Sequence, residues 1–240
     1  NFDQILDRTH TKSLKYDFAV KRGKPADVLP FWVADMDFEI PPELKQILLD
    51  RVNHGVFGYT ESDDEYFDVL QNWFSTRFNW IPEQKWLVKT PGIVFALAMA
   101  VRAFTKEGEG VLINQPVYYP FSMVIDDNNR HLINVPLIKG EERYTIDFEG
   151  IERAIVEENV TLFLLCNPHN PVGRVWTEDE LKRLGDICIK HNLLIVSDEI
   201  HADFVWKGHT HKVFAALGES YAEHCIVCTA PSKTFNIAGL

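Results

Sequence analysis

The chain has 240 residues, of which 46% are hydrophobic and 25% charged, and its formal net charge is −11. This is an ordinary globular composition with apolar material for a sizeable core, and the acidic excess, spread along the chain, argues against nucleic acid or an anionic membrane as partner. No run approaches the roughly 20 consecutive apolar residues that span a bilayer, so small molecules and other proteins are the expected partners.

The opening stretch, Asn1-Phe2-Asp3-Gln4-Ile5, has no basic start followed by an apolar run, so no signal peptide is expected. The first fifty residues read as irregular and aromatic apart from one helix, Pro42 to His54, opened by a proline and closed by Gly55. Ser62 to Phe78 is predicted helical: Ser62 and Glu65 make a capping box, and Phe67, Leu70, Phe74 and Phe78 recur on one face. The aromatic cluster Trp73, Phe74, Phe78 and Trp80 reads as packing of that helix.

Trp86 to Lys89 is a short strand candidate, after which Pro91-Gly92 turns the chain into an apolar helix, Ile93 to Phe104. Gly110 to Asn114 is a second strand candidate, ending before Pro116. Val160 to Cys166 is an almost unbroken apolar run, as a strand buried on both faces requires. Thr177 and Glu180 cap a helix with Leu181, Leu184 and Cys188 along its inner face. Leu193 to Val196 and Cys225 to Ala230 supply further buried strands. Strands separated by helices indicate βαβ units, hence an α/β fold with a mainly parallel sheet and helices on both faces.

In open α/β sheets ligands bind beyond the carboxyl ends of the strands, so the polar residues there carry the chemistry. Asn167-Pro168-His169-Asn170-Pro171-Val172-Gly173 follows one strand, Ser197-Asp198-Glu199-Ile200-His201 a second and Pro231-Ser232-Lys233-Thr234-Phe235-Asn236 a third. Taken singly each has a plainer reading: Asn-Pro forms turns, an aspartate after a strand caps a helix, and most lysines sit in solvent. Together they put an amide, a carboxylate and a lysine at strand ends, an arrangement suited to a cofactor.

These segments, with Phe31-Trp32-Val33-Ala34-Asp35-Met36-Asp37-Phe38 and Gly58-Tyr59-Thr60, resemble the fold-type I pyridoxal 5'-phosphate (PLP) enzymes of the class I/II aminotransferase group, and within it the cystathionine β-lyase (MalY/PatB-like) branch. The resemblance runs nearly from end to end. It implies that Lys233 forms the Schiff base with PLP and moves the substrate α-proton. Asp198 would pair with the pyridine nitrogen, Asn170 would donate to the phenolic oxygen, and His201 would stand near it. Ile200 and Tyr119 would press on the two ring faces. Gly92, Ile93 and Val94, opening a helix, would hold the phosphate with help from Ser232. Tyr59 matches a residue that reaches the phosphate of the neighbouring subunit, which implies a homodimer with a shared active site.

Family members are longer. The resemblance implies that a further central strand, a second phosphate-binding residue, the arginine for the substrate carboxylate and most of a small domain follow. Residues 1–50 would then belong to the small domain and residues 51–240 to an incomplete large PLP-binding domain. A polypeptide ending at Leu240 is expected to be poorly stable or inactive alone. The implied activity is carbon–sulfur β-elimination from cystathionine or cysteine, giving thiol, pyruvate and ammonia; aminotransfer is the alternative, and a non-catalytic regulatory binding role a further one.

Two other signals are discounted. The four cysteines, Cys166, Cys188, Cys225 and Cys228, do not make a disulfide scaffold in a chain this long, and point to a reducing cytoplasm. Cys225-x-x-Cys228 lies inside a predicted strand, where a spacing of three sends the thiols to opposite faces. His209-Thr210-His211 lacks companion metal ligands and reads as a surface loop.

Overall fold

The computed structural model describes residues 2–240; Asn1, the first residue of the opening stretch read above, lies outside them. In chain order the elements are α1 (Pro42–His54), α2 (Asp64–Phe78), α3 (Ile93–Phe104), β1 (Gly110–Ile113), α4 (Pro120–Asp126), β2 (His131–Asn134), β3 (Ile138–Lys139), β4 (Tyr144–Thr145), α5 (Phe148–Glu157), β5 (Val160–Cys166), α6 (Glu178–Lys190), β6 (Leu194–Asp198), α7 (Glu219–Glu223), β7 (Cys225–Cys228) and α8 (Pro231–Thr234). The chain divides into two compact units. One holds the described residues up to Tyr59 together with Pro231–Leu240, and the other holds Thr60–Ala230.

The larger unit is built on a five-stranded sheet in the order β2-β1-β5-β6-β7, with every neighbouring pair parallel. Alternation along the strands divides the core into two layers. Leu112, Phe163, Leu165 and Ile195 face one side, where α5 and α6 supply Ile151, Ile155, Leu181, Leu184 and Cys188. Val111, Ile113, Leu162, Leu164 and Val196 face the other, where α3 and α4 supply Leu97, Val101, Phe121 and Ile125. With both faces covered, β5 must be apolar throughout, as its sequence is. A separate antiparallel pair, β3 and β4, matches Ile138 with Thr145.

Local chemistry accounts for the helix ends. Thr177 and Glu180 form the expected reciprocal capping box of α6. At α2 the expectation is corrected: Asp63, not Ser62, is the cap, its carboxylate accepting from the Tyr66 N–H at 3.1 Å. The Ser62 hydroxyl instead accepts from Lys89 Nζ at 2.8 Å. Trp86 to Lys89 is not a strand. It follows a 3-10 turn at Gln84–Trp86, and Val88 is left exposed with no neighbouring strand to complete its backbone. The aromatics at the end of α2 do pack on one another: Phe74 lies 6.1 Å from Phe78 and meets Trp80, just past the helix, edge-on at 5.2 Å.

The smaller unit holds α1, α8 and a long irregular amino-terminal stretch, and α1 ends on Gly55 in the left-handed conformation. Its irregular backbone is fixed by ion pairs instead of a ladder. Arg8 reaches Asp35 at 2.8 Å and Asp37 at 2.6 Å, and Lys15 reaches Asp37 at 2.8 Å. Hydrogen bonding to Asp35, ahead of Asp37, raises the already high Arg8 pKa further, and Arg8 in turn holds the Asp35 carboxyl below its ordinary value.

Candidate active site

In the larger unit the strand ends bring the expected amide and carboxylate together. Cys166, the last residue of β5, stands in register with Asp198, the last of β6, and the next N–H, that of Asn167, donates to the Asp198 carbonyl at 2.9 Å. Asp198 is buried, only 5% exposed, and its Oδ1 accepts from the Ile200 N–H at 3.2 Å. That local turn carries Ile200 against the α3 side of the sheet and leads to His201, whose ring lies 6.2 Å from that of Phe204.

The segment from Asn167 to Gly173 is a tight loop closed on itself. The His169 N–H donates to the Arg174 carbonyl at 2.7 Å, and the Gly173 N–H donates to the His169 carbonyl at 2.9 Å. Gly173 has φ 69°, a conformation that costs glycine nothing. The Asn170 N–H is held at 3.3 Å by Cys166 Sγ, and the Asn170 carbonyl accepts from the Tyr118 N–H at 3.0 Å. This last bond ties the loop to the Tyr118-Tyr119 pair, whose rings lie 5.2 Å apart. Burial raises the Tyr118 phenol above its ordinary pKa, and Tyr119 and the Asp198 carboxylate add to the effect. Tyr119 itself presents an exposed ring at the start of α4.

Gly92 opens α3 with φ 150° and ψ 167° and no side-chain cap, so the first N–H groups of a twelve-residue helix have no capping oxygen from Gly92. Ile93 is buried beneath them and Val94 is exposed. This end of α3 is suited to an anion.

Lys233, Ser232 and Tyr59 belong to the smaller unit. Lys233 Nζ donates to the Ala34 carbonyl at 2.8 Å, the Ser232 carbonyl accepts from the Ile237 N–H at 3.0 Å, and Tyr59 is fully exposed.

One correction concerns the discounted signals. His211 is not in a surface loop: it is buried, and its Nε2 lies 2.8 Å from Glu199 Oε2. Glu199 Oε1 accepts from the Ser197 hydroxyl at 2.8 Å and from the Phe214 N–H at 2.9 Å. This network escaped the sequence reading, in which Glu199 stood only as the neighbour of Asp198. A histidine two residues before the apolar pair Val213-Phe214 was the available signal. The cysteines behave as expected, Cys225 packing on one layer of the core and Cys228 on the other. Burial pushes the Cys188 and Cys228 thiols up to about 12 and Cys225 well above its ordinary value, which leaves them inert.

With that geometry in place, comparison with known proteins is informative. The family described as aminotransferase class I and II matches residues 26–240. The chain is 44% identical over 240 residues to cystathionine beta-lyase PatB of Bacillus subtilis, covering 100% of this chain and 62% of that protein. Cystalysin of Treponema denticola, solved with its pyridoxal 5'-phosphate cofactor, superposes with a TM-score of 0.94 at 42% identity, over 100% of this chain and 61% of that one. The PLP-bound C-S lyase of Staphylococcus hominis gives a TM-score of 0.94 at 36% identity, with the same coverage of 100% and 61%. The chain thus spans about three-fifths of the length of these relatives.

Proposed function

The chain belongs to the class I and II aminotransferase family, and on that premise we propose that the protein is a PLP-dependent carbon–sulfur β-lyase, converting cystathionine, cysteine or a similar amino acid to thiol, pyruvate and ammonia. The observation that carries this reading is Asp198, a carboxylate buried at the carboxyl end of a parallel strand beside the Asn170 loop. The relatives named above, a cystathionine β-lyase and a C-S lyase among them, support the lyase reading.

The residues present fit the cofactor. A buried carboxylate is the right partner for a ring nitrogen that must stay protonated, and the helix end at Gly92, where a Cβ would meet nothing within 4 Å, has room for a phosphate. When bound, PLP supplies the electron sink that makes the substrate α-proton removable. Asp198 would hold the proton on the ring nitrogen, Asn170 would donate to the phenolic oxygen, and His201 would be the further partner near that oxygen. Tyr119 and Ile200 would pack on the two faces of the ring. Gly92, Ile93 and Val94 would offer N–H groups to the phosphate, and the Ser232 hydroxyl would be a further donor to it. Lys233 would be the residue that holds the cofactor, and its amine the general base for the substrate α-proton.

The same reading makes the protein a cytoplasmic homodimer, with Tyr59 serving the phosphate site of a second copy. The exposed run Val56, Phe57 and Tyr59 supports it, as an apolar surface of the kind that partners cover. No helix among the described residues is long and apolar enough to cross a membrane.

Borohydride reduction of the full-length protein supplied with PLP, followed by peptide mapping, tests the reading. Pyridoxyl mass on the Lys233 peptide is the expected result, and its absence overturns the proposal. Aminotransfer is the second reading, favoured by the name of the family itself. Pyruvate released from cysteine or cystathionine without any oxo-acid acceptor decides for the lyase; product that appears only with an oxo acid decides for the transferase.

A further inference from the structure

The stretch from Ala34 to Phe38 in the smaller unit is gripped from two directions by residues far away in sequence. From one direction, Arg8 and Lys15 hold the carboxylates of Asp35 and Asp37. From the other, Asn236 commits its whole side-chain amide to the backbone of Met36, between those aspartates, and of Phe38, just after them. Its Oδ1 accepts from the Met36 N–H at 3.0 Å, and its Nδ2 donates to the Met36 carbonyl at 3.0 Å and to the Phe38 carbonyl at 3.1 Å.

Asn236 is also tied to the lysine turn. Its own N–H donates to the Lys233 carbonyl at 3.3 Å, and the Ile237 N–H donates to the Ser232 carbonyl at 3.0 Å. The turn ends with Asn236 at φ 56°, a left-handed conformation that asparagine tolerates better than most residues. The circuit closes where Lys233 Nζ donates to the Ala34 carbonyl at 2.8 Å. Lysine has a long flexible stem and would otherwise sample many rotamers. Here the acceptor that meets its amine lies two residues from the backbone that Asn236 clamps.

We propose that Asn236 is a positioning residue for Lys233: by fixing Met36 it fixes the Ala34 carbonyl, which holds the lysine amine at one place ready to condense with the aldehyde of a cofactor, where the C=N bond forms as the aldehyde oxygen leaves as water. The inference rests on the PLP reading for the identity of Lys233 as the nucleophile. It adds the device that presents that nucleophile, since a reacting group held in place gains over one that must search.

The test compares full-length wild type with Asn236→Gly and Asn236→Asp. Glycine keeps the left-handed backbone and loses all three side-chain bonds. Aspartate keeps the acceptor for Met36 but sets a carboxylate against two carbonyl oxygens. PLP attachment to Lys233, trapped by borohydride at timed intervals, should slow about tenfold or more in both variants. Hydrogen exchange at the Met36 amide should quicken, while that of Phe163 in β5 stays protected and reports an intact sheet. In turnover, kcat should fall with KM near wild type.

Wild-type attachment rates in Asn236→Gly, alongside faster Met36 exchange, would reduce the clamp to a structural role and overturn the inference. If glycine costs the protection of Phe163, Asn236→Asp carries the same comparison. Failure of the wild-type protein to attach PLP at Lys233 strikes the parent reading instead, so the two failures are distinguishable.

Discussion

Glu199 Oε2 stands 2.8 Å from His211 Nε2, with both side chains sealed from solvent. The bond closes a twelve-residue excursion that begins at the end of β6 and carries Ile200 and His201. His211→Ala leaves Glu199 with only the Ser197 hydroxyl and the Phe214 N–H, and opens a void where the Phe78 ring met the imidazole edge-on at 5.5 Å. Loss of one member of a buried polar pair should destabilise the fold by about 3 kcal/mol, read as a lower urea midpoint with an unchanged slope. A midpoint equal to wild type would remove this pair as the anchor of the segment.

His169 gives the fold a pH dependence. Burial pushes its imidazole down to about 4 from 6.5; Arg174 adds to the lowering and the Asn114 backbone opposes it. The folded state therefore binds this proton less readily than the unfolded chain does. Its contribution is fully present above the unfolded value of about 6.5 and is lost as pH falls towards about 4, for a total of about 3 kcal/mol. Denaturant titrations at pH 7 and pH ~4.5 should show the loss, and His169→Phe should flatten it. Equal slopes for the two proteins would assign the acid sensitivity to other groups.

Gly92 occupies backbone space that is almost exclusive to glycine, φ 150° with ψ 167°. No atom would clash with an added Cβ, so the cost of Gly92→Ala is conformational, about 1–3 kcal/mol. If the end of α3 holds the phosphate, PLP affinity should fall together with stability, whereas pyridoxal, which lacks the phosphate, should bind the variant and the wild type alike. Equal losses for both compounds would dissociate Gly92 from phosphate binding.

Asp198→Asn can keep an acceptor oxygen for the Ile200 N–H, bonded at 3.2 Å, while it removes the charge and turns the other oxygen into an N–H donor. Stability should change little. If Asp198 pairs with the cofactor's ring nitrogen, turnover should drop about 100- to 1,000-fold, the usual effect of losing one fixed electrostatic partner of a reacting group. Near-normal turnover would mean that the ring nitrogen has another partner.

Legibility from sequence followed the reach of each interaction. The limits of α1, α3 and β5 were readable because proline, glycine and unbroken apolar runs act within a few residues. The short strands β2, β3 and β4 carried too few residues for any period to show. The Ser62 cap was misassigned because two adjacent residues, Ser62 and Asp63, are both good caps, and the choice was made by Lys89, twenty-seven residues away from Ser62. Asp198 and Asn170 are legible as strand-end residues because position alone marks them. Asn236 appeared only as part of a motif: a bond spanning 200 residues, such as that from the Met36 N–H to its amide oxygen, leaves no local trace.

Asp198 and Glu199 are consecutive, yet the alternation of the strand sends one towards the α3 layer and the other towards Ser197 and Phe214. If Asp198 serves the cofactor, two selective demands fall on adjacent codons. In a library scored for cellular abundance, position 199 should be the intolerant one; scored for product formation, position 198 should join it. A lineage that lost the chemistry while keeping the fold would let Asp198 drift and hold Glu199 fixed, so this dipeptide would date the loss of activity among descendants of the gene.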